Sequence, residues 1–233
     1  MINAKLPKVL NISYNTGGNK IIQYCDEDSI LENCILESKN PFIIKSEERL
    51  FVITTDRDFV ADDYSYVLLS SRVPTKRDFE AENLNLIEWL KHPLIMQSTP
   101  QEVTASWSES FNFIKEDTEN NTDGLRNPQL GAIHSILAHQ YSGDDIGIVV
   151  MPTGTGKTET MICSMVATPA IKLLVTVPSD SLRTQLFEKF LTYGLLKRFG
   201  VVGEEAINPH VGILTSGVGT LDELEEFISR SNV

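Results

Sequence analysis

The stretch Met151-Pro152-Thr153-Gly154-Thr155-Gly156-Lys157-Thr158 lies between the apolar run Ile146-Gly147-Ile148-Val149-Val150 and a segment with helical spacing. The chain therefore reads here as strand, glycine-rich loop, helix start. A strand delivers the backbone to a sheet's edge, small residues let successive N–H groups turn inward as an anion nest, and the helix N-terminus adds the positive end of its dipole. Such a loop cradles phosphate. Lys157 is placed to reach the outer phosphates, and the Thr158 hydroxyl to meet Mg2+, a hard cation that prefers oxygen. The general pattern asks for glycine where Met151 stands.

The elements around the loop continue the alternation. Asn127 is expected to cap a helix with Pro128 at its first position and Leu130, Ile133, Ile136 and Leu137 on one face to about Tyr141, where Gly143 ends it. Residues 158–167 read as a helix, 171–177 as a second apolar strand, and Leu182, Leu186 and Phe190 mark the next helix. A strand at 211–214 and a helix carrying Leu221, Leu224, Phe227 and Ile228 follow. Apolar strands separated by helices imply an α/β parallel sheet covered on both faces, with ligands at the carboxyl ends of its strands.

The first half reads differently. Strands are expected at 20–24, 34–37 and 66–70, with a hairpin of 42–44 and 50–54 around Ser46-Glu47-Glu48-Arg49. Helices are expected at 79–90 and from Thr99, with Pro100 and Glu102 forming its start, to about Ile114. The tract 116–124 contains no apolar residue and marks the expected boundary between a smaller mixed α+β domain, residues 1–120, and the α/β domain, residues 121–233.

The net charge of -12 divides into -9 over residues 1–125 and -3 over 126–233, which argues against broad adsorption to nucleic acid or anionic membrane and leaves localised contact. Cys25, Cys34 and Cys163 form no Cys-x-x-Cys pair, so a reducing cytoplasm is expected. No apolar run approaches the roughly 18 residues of a spanning helix, so a soluble protein without a membrane partner is expected.

Residues 152–158 resemble motif I of the superfamily 2 helicases and translocases, in which the position of Met151 is commonly Ala, Gly, Leu or Met. Leu125-Arg126-Asn127-Pro128-Gln129 resembles the Q motif of the same superfamily, and Gln129 precedes Lys157 by 28 residues. A glutamine amide complements adenine N6 and N7, which makes ATP, with Mg2+, the expected ligand. Residues 175–185 resemble motif Ia, with Ser179 where Thr is usual, and imply that Pro178, Ser179 and Arg183 touch the phosphates of a nucleic-acid strand without reading its sequence. Gly131-Ala132-Ile133-His134 is similar to prokaryotic DEAD/DEAH-box helicases, some of which serve in restriction and phage defence. The resemblance covers about residues 124–190. It implies a RecA-like ATP-binding domain, nucleotide contacts from Arg126, Gln129 and residues 151–158, and ATP-driven movement on nucleic acid, DNA ranked before RNA.

Asp222-Glu223 is not expected to be the family's Asp-Glu box, because it follows Gly217-Val218-Gly219-Thr220 rather than an apolar strand. The resemblance accordingly implies that this box, the rest of the first lobe and a second lobe with its arginine finger lie beyond Val233, and that these 233 residues do not turn over ATP by themselves. Two other readings stay open: a non-catalytic P-loop module that binds nucleotide or a partner, and a P-loop enzyme outside the helicases, such as a kinase. In the first half, Asp28 with Glu37-Ser38-Lys39 is similar to the acid pair and lysine of metal-dependent nucleases, against the plainer reading of charged residues at a solvated strand end. His134 and His139 are expected to be helix-surface or packing residues rather than metal ligands, and Trp89 and Trp107 to be core.

Overall fold

The computed structural model describes residues 2–12, 19–25, 30–59, 62–94, 98–143, 145–215, 217 and 219–233. It divides into two compact units, Met1–Gln97 with Leu214–Val218, and Ser98–Ile213 with Gly219–Val233.

The first unit is mostly sheet. Its strands are β1 (Ile2–Lys5), β2 (Val9–Ile12), β3 (Lys20–Tyr24), β4 (Ile30–Lys39), β5 (Phe42–Ser46), β6 (Arg49–Thr54), β7 (Tyr66–Ser70) and β8 (Leu86–Lys91). They run in the order β1-β4-β5-β6-β7-β8-β2-β3. The sheet is mixed: β6 with β7 and β2 with β8 are parallel, and the other neighbouring pairs are antiparallel. The period of two sends Phe42, Ile44, Phe51 and Ile53 to one face, where Leu10, Leu68 and Trp89 also pack. Ile43, Val52 and Val67 fill the other. The expected hairpin is present as β5 and β6, paired from Phe42↔Ile53 to Ser46↔Arg49.

One expected element is absent from this unit. Residues 79–90 do not form a helix: α1 (Lys76–Glu80) ends early and the chain re-enters the sheet as β8. Glu82 and Asn85 adopt φ of 52° and 55°, which breaks helical propagation. Pairing of β8 between β7 and β2 then buries Trp89, whose indole N–H donates to the Pro7 carbonyl at 2.8 Å. The unit is therefore richer in strand than the mixed α+β composition suggests.

The second unit carries α2 (Pro100–Ser106), α3 (Asn127–Ser142), α4 (Lys157–Ala167), α5 (Asp180–Thr192), β9 (Val211–Ile213) and α6 (Leu221–Arg230). The capping box expected at Thr99 is formed, with Glu102 accepting from the Thr99 N–H at 2.7 Å. α2 nevertheless stops well before Ile114. Glu109 takes φ 65°, and from Asn112, whose N–H donates to the Val201 carbonyl, the backbone is tied to another segment of the same unit. The tract 116–124 lies inside this unit, so the two compact units divide at 97/98 rather than in that tract. The tract closes on itself as a turn: Asp117 and Thr122 exchange backbone bonds of 2.9 and 2.8 Å, and the Asp117 carboxylate accepts from the Glu119 and Asn120 N–H groups.

The two apolar runs expected to be strands of a parallel sheet, 146–150 and 171–177, are not laddered among the described residues. Ile146, Ile148 and Val150 are 93%, 85% and 88% exposed, and Leu174 is 81% exposed. Strands this apolar are stable only with both faces covered. Without paired neighbours, these runs lack the ladder that would place their side chains under helices. Leu173 does donate to the Asn232 carbonyl at 2.9 Å, and Asn232 in turn to His210 at 2.8 Å, so a short stretch of pairing links 173, 232 and 210.

The core of this unit is fixed by polar clasps as well as apolar contact. Trp107 donates to the Tyr193 hydroxyl at 2.5 Å, and that hydroxyl to the Ile207 carbonyl at 2.5 Å, with both side chains buried. Burial pushes the Tyr193 phenol far up, so it stays a neutral donor. His210 is fully buried, its Nδ1 faces the Arg230 carbonyl, and its Nε2 has no hydrogen-bond partner among the described residues. Burial, with the Lys172 charge adding to it, holds its imidazole below the ordinary value of 6.5.

Two stability predictions follow from these packings. Trp89→Ala is expected to destabilise the first unit by about 3–5 kcal/mol in chemical denaturation, through the cavity and the orphaned Pro7 carbonyl. His210 has a depressed native pKa, so the unfolded chain binds more protons in acid. Stability is then expected to fall as pH drops below 6.5, and His210→Phe to flatten that part of the profile.

Candidate nucleotide-binding site

α4 begins at Lys157, immediately after the glycine loop, and buries Ile162, Cys163, Met165 and Val166 on its inner face. That anchorage fixes the helix N-terminus, leaving Lys157 exposed and Thr158 half-buried. Burial, and then the Glu159 charge, push the Cys163 thiol up to about 12, which makes it an inert packing residue. Met151, where the general pattern has glycine, is 8% exposed and serves as core. Pro152, Thr153 and Gly154 are exposed, and the Thr155 hydroxyl closes the turn on the Pro152 carbonyl at 2.7 Å.

Gly154 and Gly156 have φ of 81° and 87°, the left-handed region that side-chain-bearing residues avoid. Alternation of such residues with ordinary ones turns successive N–H groups into one concavity. The carbonyls of both glycines are occupied. Gly156 O accepts from Thr160 N at 3.0 Å, Thr160 Oγ1 at 3.1 Å and Gln129 Nε2 at 3.3 Å, and Gly154 O accepts from Arg126 Nη1 at 3.1 Å.

The resembled Q motif is thus brought onto the loop itself. Arg126 is the N-cap of α3, one position before the expected Asn127, and Gln129 is its third residue. The Gln129 side chain is 6% exposed, and its Oε1 accepts from the Arg126 N–H at 2.9 Å. Each end of the amide makes one bond, Oε1 to the helix start and Nε2 to the loop. A Cβ at Gly156 would come within 2.2 Å of Gln129 Nε2, so only glycine fits the contact.

A cavity of about 740 Å³ opens beside these groups, within the range that takes a small organic ligand. The loop and α3 supply Arg126, Gln129, Gly154, Gly156, Lys157 and Thr158 to its lining. Four cationic side chains, Arg126, Lys157, Lys189 and Arg198, face three carboxylates, Glu116, Asp123 and Glu159, so the cavity is locally balanced on an acidic chain. Lys189 pairs with Glu159 at 2.6 Å, tying α5 to the helix that follows the loop. Lys189, Arg198 and Phe199 carried no signal in the sequence. They reach the cavity through the packing of α5 and the turn after it, which no local pattern announces.

The residues expected to meet nucleic acid lie at the start of α5. Ser179 is its N-cap, with Oγ accepting from the Leu182 N–H at 3.4 Å. Pro178 is exposed, and Arg183 pairs with Asp180 at 3.2 Å. Asp222 and Glu223 open α6, where Glu223 completes a capping box with Thr220, as a helix start rather than an Asp-Glu box requires. Glu37 and Lys39 are exposed on β4, while Asp28 lies outside the described residues, and among the described residues no group of three His, Cys, Asp or Glu is placed to hold a metal. His134 is exposed and stacks on Phe113 at 4.5 Å, and His139 donates through Nε2 to the Asp145 carbonyl at 2.7 Å. The three cysteines are free and buried, and among the described residues no helix is long and apolar enough to cross a membrane.

Residues 122–212 match the family described as Type III restriction enzyme, res subunit. This segment is a superfamily 2 helicase-like domain of the restriction and defence kind, and it contains the loop, α3 from its first residue and α5. No curated protein and no solved structure matches the chain.

Gly156→Ala is expected to cost about 1–3 kcal/mol of stability from left-handed strain, and more through its collision with Gln129. Thermal denaturation measures that loss, and a nucleotide titration should show binding falling with it.

Proposed function

We propose that residues 121–233 are the ATP-binding first part of a superfamily 2 helicase or translocase that couples ATP hydrolysis to movement on nucleic acid, DNA in preference to RNA, together with further helicase domains. The observation that carries this reading is the attachment of Arg126 and Gln129 to the carbonyls of Gly154 and Gly156. It holds the loop in its phosphate-receiving shape. Lys157 and the N–H groups of residues 154–158 neutralise and orient the triphosphate. The Thr158 hydroxyl would be the oxygen that this chain offers to Mg2+, which would supply charge neutralisation to the phosphates. Pro178, Ser179 and Arg183, at the exposed start of α5, are the proposed contacts to strand phosphates. Residues 1–120 act as an accessory region, and the buried free thiols suit a cytoplasmic protein.

The alternative of a non-catalytic P-loop module is favoured by one specific observation, the use of Glu223 as a cap on α6. A triphosphate held without a metal-holding and water-positioning acid is bound, not cleaved. The 233-residue chain is accordingly expected to bind Mg·ATP without turnover. Lys157→Ala should weaken that binding by about 10- to 100-fold in calorimetry. Lys157-dependent ATP hydrolysis by the purified chain would contradict the assignment of catalytic acids to other helicase domains.

A further inference from the structure

Glu159 is an anion placed where an anion is to be received. It stands in the first turn of α4, directly after Lys157 and Thr158, and lines the same cavity as they do. The positive end of a helix dipole stabilises whatever negative charge lies beside it, so this carboxylate and a phosphate share one source of stabilisation and repel each other. Its place is fixed by packing. Ile162, Cys163, Met165 and Val166 bury the inner face of α4, and the Glu159 side chain is only 21% exposed. Its Oε2 lies 3.3 Å from where a Cβ on Gly156 would stand, against the glycine loop itself.

Lys189 offsets that charge from another helix. Its Nζ donates to Glu159 Oε1 at 2.6 Å, and among the described residues Glu159 makes no other ion pair. Lys189 belongs to the last turn of α5, which Phe190 and Leu191 anchor with buried side chains. The two arginines that line the cavity are engaged elsewhere, Arg126 on the Gly154 carbonyl and Arg198 on Asp123. A pair whose lysine is 45% exposed is screened by water and adds little to folding. A polyanionic ligand feels the same pair more strongly, because without Lys189 a bare carboxylate would stand beside several phosphate charges.

We propose that Lys189 is the charge-compensating residue of this site, neutralising Glu159 so that the start of α4 can accept the phosphates of a nucleotide. This rests on the phosphate-loop reading above. Lys189 acts through Glu159 and not by touching the ligand, so it is a positioning residue. A lysine bound directly to phosphate behaves differently, since its loss is not repaired by a change at Glu159.

The test is calorimetric titration of the whole chain with Mg·ATP and Mg·ADP, as wild type, Lys189→Ala, Lys189→Arg, Glu159→Gln, the double variant Lys189→Ala/Glu159→Gln, and Lys157→Ala. Lys189→Ala is expected to weaken Mg·ATP on the order of 10-fold, and the less charged Mg·ADP by about threefold. Lys189→Arg, which keeps the charge, should bind as wild type does. Glu159→Gln should bind Mg·ATP at least as tightly as wild type, and the double variant should return to within about threefold of wild type. A packing role for Lys189 would give neither this rescue nor the dependence on ligand charge. The proposal is overturned if Lys189→Ala binds Mg·ATP as wild type does, if the double variant stays as weak as Lys189→Ala, or if Glu159→Gln alone weakens binding. Unchanged ATP binding by Lys157→Ala would instead remove the phosphate-loop reading, and the compensating role with it.

Discussion

The carbonyl of Gly156 accepts three hydrogen bonds, from the Thr160 N–H, the Thr160 hydroxyl and the Gln129 amide. Those donors hold the peptide oxygen from two helices, so it is not left as an unpaired acceptor at the loop. The left-handed φ at Gly154 and Gly156 is the conformational cost of that arrangement, and glycine keeps it small. The cost is met by α4, whose buried face anchors one side, and by α3, whose first turn supplies Arg126 and Gln129 from the other. A phosphate site on this chain thus depends on two helix starts meeting at one short loop.

Charge has to be organised locally for such a site to work on a chain of net charge -12. Around the cavity the lysines and arginines are matched against Glu116, Asp123 and Glu159, and two pairs, Lys189–Glu159 and Arg198–Asp123, keep cations at its edge. Lys157 makes no carboxylate ion pair among the described residues, which suits the phosphate role proposed for it. The first unit stands apart in kind, a mixed sheet with apolar side chains on both faces, and its chemistry carries no comparable constellation among the described residues.

Much of this was legible in the sequence because it is local. The strand period and turn composition gave β3, β5, β6 and β7, and the loop and the helices around it follow from glycine spacing, Pro128 and regular apolar steps. The failures have physical causes. Residues 79–90 fit a period of 3.6 and a period of 2 about equally, and pairing with β7 and β2 decided for the strand. Residues 146–150 and 171–177 have the composition of covered strands, but a ladder needs partners that composition cannot supply. Gln129 was singled out by its place ahead of the loop, while its bonds to Arg126 and Gly156 depend on a cap position that shifted by one. Phe199 reaches the cavity through a long-range fold of the chain, so no window of sequence around it carries the information.

The central claim is that the N–H groups of residues 154–158 are held facing a triphosphate. Amide hydrogen exchange of the chain with and without Mg·ATP measures this directly, since amides that take up phosphate bonds exchange more slowly. The account predicts slowed exchange across 154–158, with the paired strands β5 and β6 of the first unit unchanged as an internal reference. Equal exchange of the loop amides at saturating nucleotide, or protection that spares the loop and appears elsewhere, would contradict it.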